Sequence, residues 1–212
     1  MGRKRNRNNY KKPRDFKPNT KEKYFTKDDI FVSRMASILM IPKSKVLNIF
    51  NQRARSTIRL NSIKGDVKET YRSLTARGYE LEMVPWAPNT YFINNRDKSE
   101  ISQIEEYNKG LFYIQDLSSI LATLVLDPKP KENILDMCSA PGSKTTHIAD
   151  ITNNKANILA NELEVSRTNS LKNVIEQFGA TTVKITLSDG REFGKKYPDY
   201  FDKVLLDAPC SG

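Results

Sequence analysis

Asn133-Ile-Leu-Asp-Met-Cys-Ser-Ala-Pro-Gly-Ser-Lys-Thr145 decides how the second half of this 212-residue chain folds. A short apolar strand, Asn133 to Met137, runs into a Pro-Gly turn, and Ser143 to Asp150 then starts a helix. Further along, Ile158 to Ala160 reads as a strand ending at Glu162, and Val165 to Phe178 as a helix closed by Gly179. Thr182 to Leu187 is a strand ending at Asp189, and Lys203 to Leu206 one ending at Asp207. With a helix over Asp116 to Leu126 in front, the order is βαβαβ plus a further strand. That is the grammar of an α/β, Rossmann-like, doubly wound parallel sheet. Ligands of such sheets bind beyond the carboxyl ends of the strands. Asp136 to Lys144, Glu162, Asp189 and Asp207 all fall at such ends.

Upstream the pattern changes. Phe25 to Phe50 is helical, with Ile30, Phe31, Arg34, Met35 and Ile38 spaced for one face and a second short helix over Ser44 to Phe50. Ser56 to Ser62 reads as a strand with Ile58 and Leu60 on one face and Thr57 and Arg59 on the other. Val67 to Arg77 is a helix closed by Gly78, and Leu81 to Trp86 and Thr90 to Ile93 are two more strands. Three regions are therefore expected: a disordered basic tail (1–23), an α+β subdomain (24–105), and the Rossmann-like domain (106–212).

The formal charge is +10, of which the first 23 residues carry +8. Such a tail can grip phosphate without reading sequence, or simply solubilise the chain. Apolar residues make up 38% and charged residues 28%, as in a folded soluble protein. No run of 18 apolar residues is present, and the basic N-terminus has no apolar h-region. Two cysteines, Cys138 and Cys210, do not make a disulfide framework, so a reducing, cytoplasmic setting fits.

The loop after Asp136 narrows the ligand. A P-loop needs two glycines that are here Cys138 and Ser143, and a dinucleotide fingerprint needs three where only Gly142 stands. One glycine still lets the backbone approach a small polar ligand, and helix-terminal N–H groups can face a carboxylate, which suits a methionine moiety. Glu162 could accept both hydroxyls of a ribose and Asp189 could hold an adenine amino group. Taken singly, each acid could equally be a solvated loop residue or a helix cap.

Asp136-Met-Cys-Ser-Ala-Pro-Gly-Ser-Lys-Thr-Thr-His147, Asn161-Glu162, Ser188-Asp-Gly-Arg191 and Leu205-Leu-Asp-Ala-Pro-Cys-Ser-Gly212, in that order, resemble the Sun-type (Nol/Nop/Sun) RNA cytosine-5 methyltransferases. Ser56-Thr-Ile-Arg-Leu-Asn-Ser62, Val84-Pro-Trp-Ala87 and Gly110-Leu-Phe-Tyr-Ile-Gln-Asp-Leu-Ser-Ser119 resemble the family's N-terminal subdomain and its join to the catalytic domain. The resemblance covers roughly residues 25 to 212. It implies a class I methyltransferase domain, S-adenosyl-L-methionine as cofactor and RNA as substrate, ribosomal RNA first and transfer RNA second. It places Cys138, Ser139, Ala140, Pro141, Gly142, Ser143 and Lys144 against the cofactor, Glu162 on its ribose and Asp189 on its adenine. Asp207 then sits beside the target cytosine, Lys144 near both cofactor and base, and Cys210 serves product release, with attack on the base as its alternative role. The family's attacking cysteine belongs to a Thr-Cys motif further downstream. The expectation is thus a chain truncated after the fourth strand, inactive and poorly stable alone. It is also expected to be monomeric and to carry no metal.

The chemistry asks for these groups. Carbon 5 of cytosine is a poor nucleophile until a thiolate adds to carbon 6 and makes an enamine. The adduct places negative charge near ring nitrogen 3, where a carboxyl group and a cation, Asp207 and Lys144, would stabilise it. The proton on carbon 5 must then leave, a task for Cys210 as base or relay. Asp-Ala-Pro-Cys stands where methyltransferases of exocyclic amines carry an Asn-Pro-Pro-Tyr type of motif, which disfavours protein or small-molecule substrates. The rival is a non-catalytic RNA-binding or ribosome-assembly factor that keeps the fold. Cys138 reads as a small loop residue and His147, the sole histidine, as no zinc ligand. Trp86 reads first as a core or subdomain-packing residue and second as a ring on which a base could stack. Arg53, Arg55, Arg59 and Arg72 with Tyr71 read as an RNA groove or a solvated face, and Arg191 as the residue that orders its turn.

Overall fold

The computed structural model describes residues 27–51 and 55–209; the basic tail, Arg53 and Cys210 lie outside the described residues. The chain divides into two compact units, residues 1–53 and 54–212. In the first, α1 (Lys27–Leu39) and α2 (Lys43–Asn51) form a helical hairpin. It is held by the buried Val32 and Val46 and by the edge-on rings of Phe31 and Phe50, 5.3 Å apart. Val32, and not the expected Ile30, Phe31 and Ile38 face, is the buried position of α1.

The second unit begins with β1 (Ser56–Leu60), α3 (Val67–Ala76), β2 (Leu81–Met83), β3 (Thr90–Ile93), α4 (Lys98–Ile101), α5 (Glu105–Asn108) and β4 (Phe112–Ile114). Asp66 caps α3 by accepting from the Glu69 N–H at 2.9 Å, and Gly78 follows its end at φ 84°. These strands form an antiparallel sheet in the order β2-β3-β1-β4, with Ile58 opposite Tyr91 on one side and Ile114 on the other. Ile58, Leu60, Leu74, Ile93, Ile101 and Phe112 are its core, each worth about 1.5–3 kcal/mol when fully buried. β4 was not expected. It lies downstream of residue 105 in the chain yet completes this sheet. β2 ends at Met83, short of the expected Trp86, because Pro85 has no N–H for a ladder.

The chain continues through α6 (Leu117–Leu126), β5 (Asn133–Asp136), α7 (Ser143–Ile151), β6 (Asn157–Glu162), α8 (Val165–Phe178), β7 (Val183–Leu187), α9 (Phe193–Lys196) and β8 (Lys203–Leu205). The four strands are parallel in the order β7-β6-β5-β8, a Rossmann-like sheet. Its core is Ile134, Ile148, Ala149, Ala156, Ile158, Ala180 and Leu205. Because all strands run one way, Asp189, Glu162, Asp136 and Asp207 follow strand ends along one edge of the sheet.

The two sheets are joined through buried polar groups, and here the sequence reading needs correction. Arg59 neither lines an RNA groove nor faces solvent: it is 1% exposed. Its guanidinium pairs with Asp150 of α7, and its Nε donates to Gln115 Oε1 at 3.0 Å. Asp150 also accepts from the Ser62 N–H and hydroxyl at 3.0 and 2.6 Å. Asn61 donates to the carbonyls of Gly110 and Phe178 at 2.8 and 2.9 Å. Gly110 sits at φ 73°, and a Cβ there would stand 2.1 Å from the Gln177 carbonyl oxygen, so the backbones touch. Trp86 is half exposed, so it is not a core residue.

Candidate functional site

The loop between β5 and α7 is built by its neighbours. Ser139 donates from its N–H and its hydroxyl to the Asn161 carbonyl at 2.9 and 2.7 Å. The Asn161 amide donates to Met137 O and Ser188 O, both at 3.0 Å, and its oxygen accepts from the Ser188 N–H. One buried asparagine therefore ties the ends of β5, β6 and β7 together. Gly142 sits at φ 110°, with Leu171 and Val174 about 3 Å from where a Cβ would stand, so only glycine fits the turn into α7. Gln115 donates to the Ser143 carbonyl at 3.3 Å, which ties the antiparallel sheet to the same turn.

Glu162 is buried, and its carboxylate accepts from the N–H groups of Ala140, Leu163 and Glu164 at 3.3, 2.9 and 3.3 Å. The Arg167 guanidinium stands 3.5 Å from it and donates to the Ala140 carbonyl at 2.7 Å. A carboxylate offers about four acceptor positions, so about one remains for a ligand. Lys144 reaches across the edge to Asp207 at 2.5 Å, with Lys144 mostly buried and Asp207 half exposed.

Asp136 was read as a strand-end residue but given no role of its own, and it sits centrally. Thr145 donates to its Oδ2 at 2.6 Å, while the buried Oδ1 has no partner among the described residues. Burial pushes its carboxyl up to about 6, with Thr145 and Lys144 opposing and the charges of Asp207 and Glu162 adding to the rise. The folded chain thus keeps a proton that the unfolded chain, with its ordinary value of 3.8, gives up first. Stability from this group is full below about pH 4 and is lost as pH rises to about 6, on the order of a few kcal/mol. Urea unfolding across that window should show an Asp136→Asn variant gaining on the parent as pH rises. Parallel profiles would refute the burial of a charge here.

Asp189 lies further out. Three hydrogen bonds from the Arg191 side chain, two of them from Nε, and one from its N–H hold its carboxyl at about 2. Arg191 therefore orders this turn. Cys138 is half-buried. Its thiol is pushed up by burial and then by the Glu162 and Asp136 charges, a setting adverse to a thiolate. His147 is buried in α7 and held well below its ordinary value by burial and by Arg59, so it is neutral. Among the described residues no cluster of His, Cys, Asp or Glu could hold a metal ion, and no helix is long and apolar enough to cross a membrane.

Residues 123–212 match the family described as 16S rRNA methyltransferase RsmB/F, and residues 28–117 match the N-terminal domain of 16S rRNA methyltransferase RsmF. The chain belongs to the Sun-type RNA methyltransferase family. A Sun-type relative, the tRNA (cytosine(49)-C(5))-methyltransferase of Pyrococcus abyssi, is 42% identical over 157 residues, covering 74% of this chain and 50% of that protein. Ribosomal RNA small subunit methyltransferase F of Shewanella loihica is 39% identical over 163 residues, 74% of this chain and 34% of that protein. A crystal structure of a methyltransferase homologue from Pyrococcus horikoshii superposes with a TM-score of 0.76 at 29% identity, over 87% of this chain and 60% of that one. The chain thus spans half or less of the length of these two curated Sun-type relatives. The fold expected from the sequence, a Rossmann-like sheet behind an α+β subdomain, is the fold observed.

Proposed function

We propose that the protein is an RNA cytosine-5 methyltransferase that uses S-adenosyl-L-methionine, with ribosomal RNA the first substrate class and transfer RNA the second. The observation that carries this is the meeting of Asp136, Glu162 and the Lys144–Asp207 pair at one strand edge, in a chain of this family. The relatives named above support both RNA classes.

The residues fit the cofactor. An unpartnered buried oxygen on Asp136 and an open acceptor position on Glu162 suit a ligand that carries an ammonium group and ribose hydroxyls. Gly142 leaves the backbone bare for close approach. Cys138, Ser139, Ala140, Pro141, Gly142, Ser143 and Lys144 would line it, Glu162 would hold the ribose and Asp189 the adenine amino group. When bound, this cofactor supplies an electrophilic methyl group.

The protein's own part is to prepare the base. Lys144 brings a cation to the negative charge that develops on the cytosine ring after a thiol adds to carbon 6. Asp207 fixes that ammonium and would hydrogen-bond the base. Cys138 is unsuited to the attack because its environment disfavours the thiolate. Cys210, which lies outside the described residues, is assigned to proton removal and product release.

The test is direct. Protein expressed from its complete reading frame is incubated with unmodified ribosomal and transfer RNA and methyl-labelled cofactor, and the RNA is digested to nucleosides. Label is expected in 5-methylcytidine. RNA and cofactor binding without transfer would replace this reading with that of a non-catalytic RNA-binding factor.

A further inference from the structure

The antiparallel sheet, with the element order βαββααβ, is of the four-stranded kind in which RNA-reading sheets expose aromatic side chains to stack bases. Here that face is taken. On β1, Thr57 and Arg59 are buried, with Arg59 on Asp150 of α7. On β3, Phe92 packs beside Val84, Ala87 and Ile120, and Tyr113 of β4 lies 4.6 Å from the Phe178 ring of α8. RNA held by this subdomain has to be held elsewhere.

The opposite side offers a place. Between α3 and the β2 edge lies an open pocket of about 420 Å³ lined by Lys68, Tyr71, Arg72, Met83 and Tyr91 among others. The Tyr71 and Tyr91 rings stand 5.3 Å apart at 44°. Met83 is opposite Tyr91 in the strand register and 62% exposed, so its thioether borders the same apolar floor. Lys68 and Arg72 are one helical turn apart on α3, both exposed, and neither has an ion-pair partner among the described residues. Two free cations beside a pair of tyrosine rings match the chemistry of a nucleotide: a sequence-tolerant π face for the base and positive charge for the phosphate. An acidic peptide would use the cations but leave the paired tyrosine rings unexplained.

We propose that this pocket captures one nucleotide of single-stranded RNA outside the target cytosine, its base on Tyr71 and Tyr91 and its phosphates at Lys68 and Arg72. This rests on the reading of the protein as an enzyme acting on RNA. The experiment measures fluorescence anisotropy of a fluorescein-labelled single-stranded oligoribonucleotide with the protein from its complete reading frame, over a salt series, beside the methyl-transfer assay. The Lys68→Ala/Arg72→Ala double variant, which touches only exposed side chains, should raise Kd about tenfold and lower the salt slope by about 0.7 for each cation lost. Tyr71→Leu, which keeps an apolar side chain, should also raise Kd about tenfold, with little change in salt slope. Ultraviolet cross-linking should attach the RNA at Tyr71 or Tyr91. If the parent binds and methylates RNA while both variants keep its Kd, the pocket is not the site and the enzymatic reading stands. If the parent neither binds nor methylates RNA, both fall together.

Discussion

Replacing Asp207 with Ala should slow methyl transfer to RNA about a thousandfold under single-turnover conditions with saturating cofactor. Asp207 follows β8 directly and lies 2.5 Å from the Lys144 ammonium, which projects from the first turn of α7. The cation is mostly buried, so its position depends on the carboxylate that holds it. Without Asp207, Lys144 loses its anchor, and on the proposed reading the base loses a hydrogen-bond partner as charge develops. Preorganised groups of this kind are worth about a hundred- to a thousandfold each. Cofactor affinity should change by less than about tenfold, because Glu162 and the Cys138–Ser143 backbone are untouched. That split between rate and binding marks a group acting on the base. A variant rate within about threefold of the parent would remove Asp207 from the chemistry.

The largest loss of stability is expected at Arg59. Arg59→Met keeps the length and apolar stem of the side chain but strands the Asp150 carboxylate, 7% exposed, without its cation. Breaking a buried pair from one side costs about 3–5 kcal/mol. Burial pulls the Arg59 guanidinium below its ordinary value and Asp150 opposes that pull, so the pair is interdependent. The double variant Arg59→Met/Asp150→Leu should therefore be less destabilised than the two single losses added together. Asp150 also holds the Ser62 N–H and hydroxyl, so the double variant will not recover fully. Urea unfolding gives all four values. Additive losses would show that the pair is not coupled.

The parallel sheet was legible because each strand is a short apolar run with an acid at its end or within two residues of it, and helix signals separate the first three strands, with glycine closing the helix at Phe178-Gly179. The acids could be ordered along one edge for the same reason: parallel strands end together. The burial of Arg59 was not legible. Thr57 and Arg59 alternate with Ile58 and Leu60, which reads as one wet face, and the partner that dries it lies 91 residues away in α7. β4 escaped notice because three residues carry no periodicity. The centrality of Asp136 was hidden as well. Its burial follows from a position in the middle of the sheet, flanked by β6 and β8, and strand order is not written locally.

The join between the sheets also bears on which nucleotides can be modified. Arg59, Asn61 and Gly110 join the two sheets through a buried ion pair, side-chain bonds to carbonyls and one close backbone approach. If one base rests on Tyr71 while another is at Asp207, the separation of those two points is a fixed caliper. Target choice would then be partly a measurement of length along the RNA, set by protein stiffness and indifferent to the letters in between. Oligoribonucleotides that differ only in the spacing between an anchoring base and the target cytosine would display it as a sharp optimum.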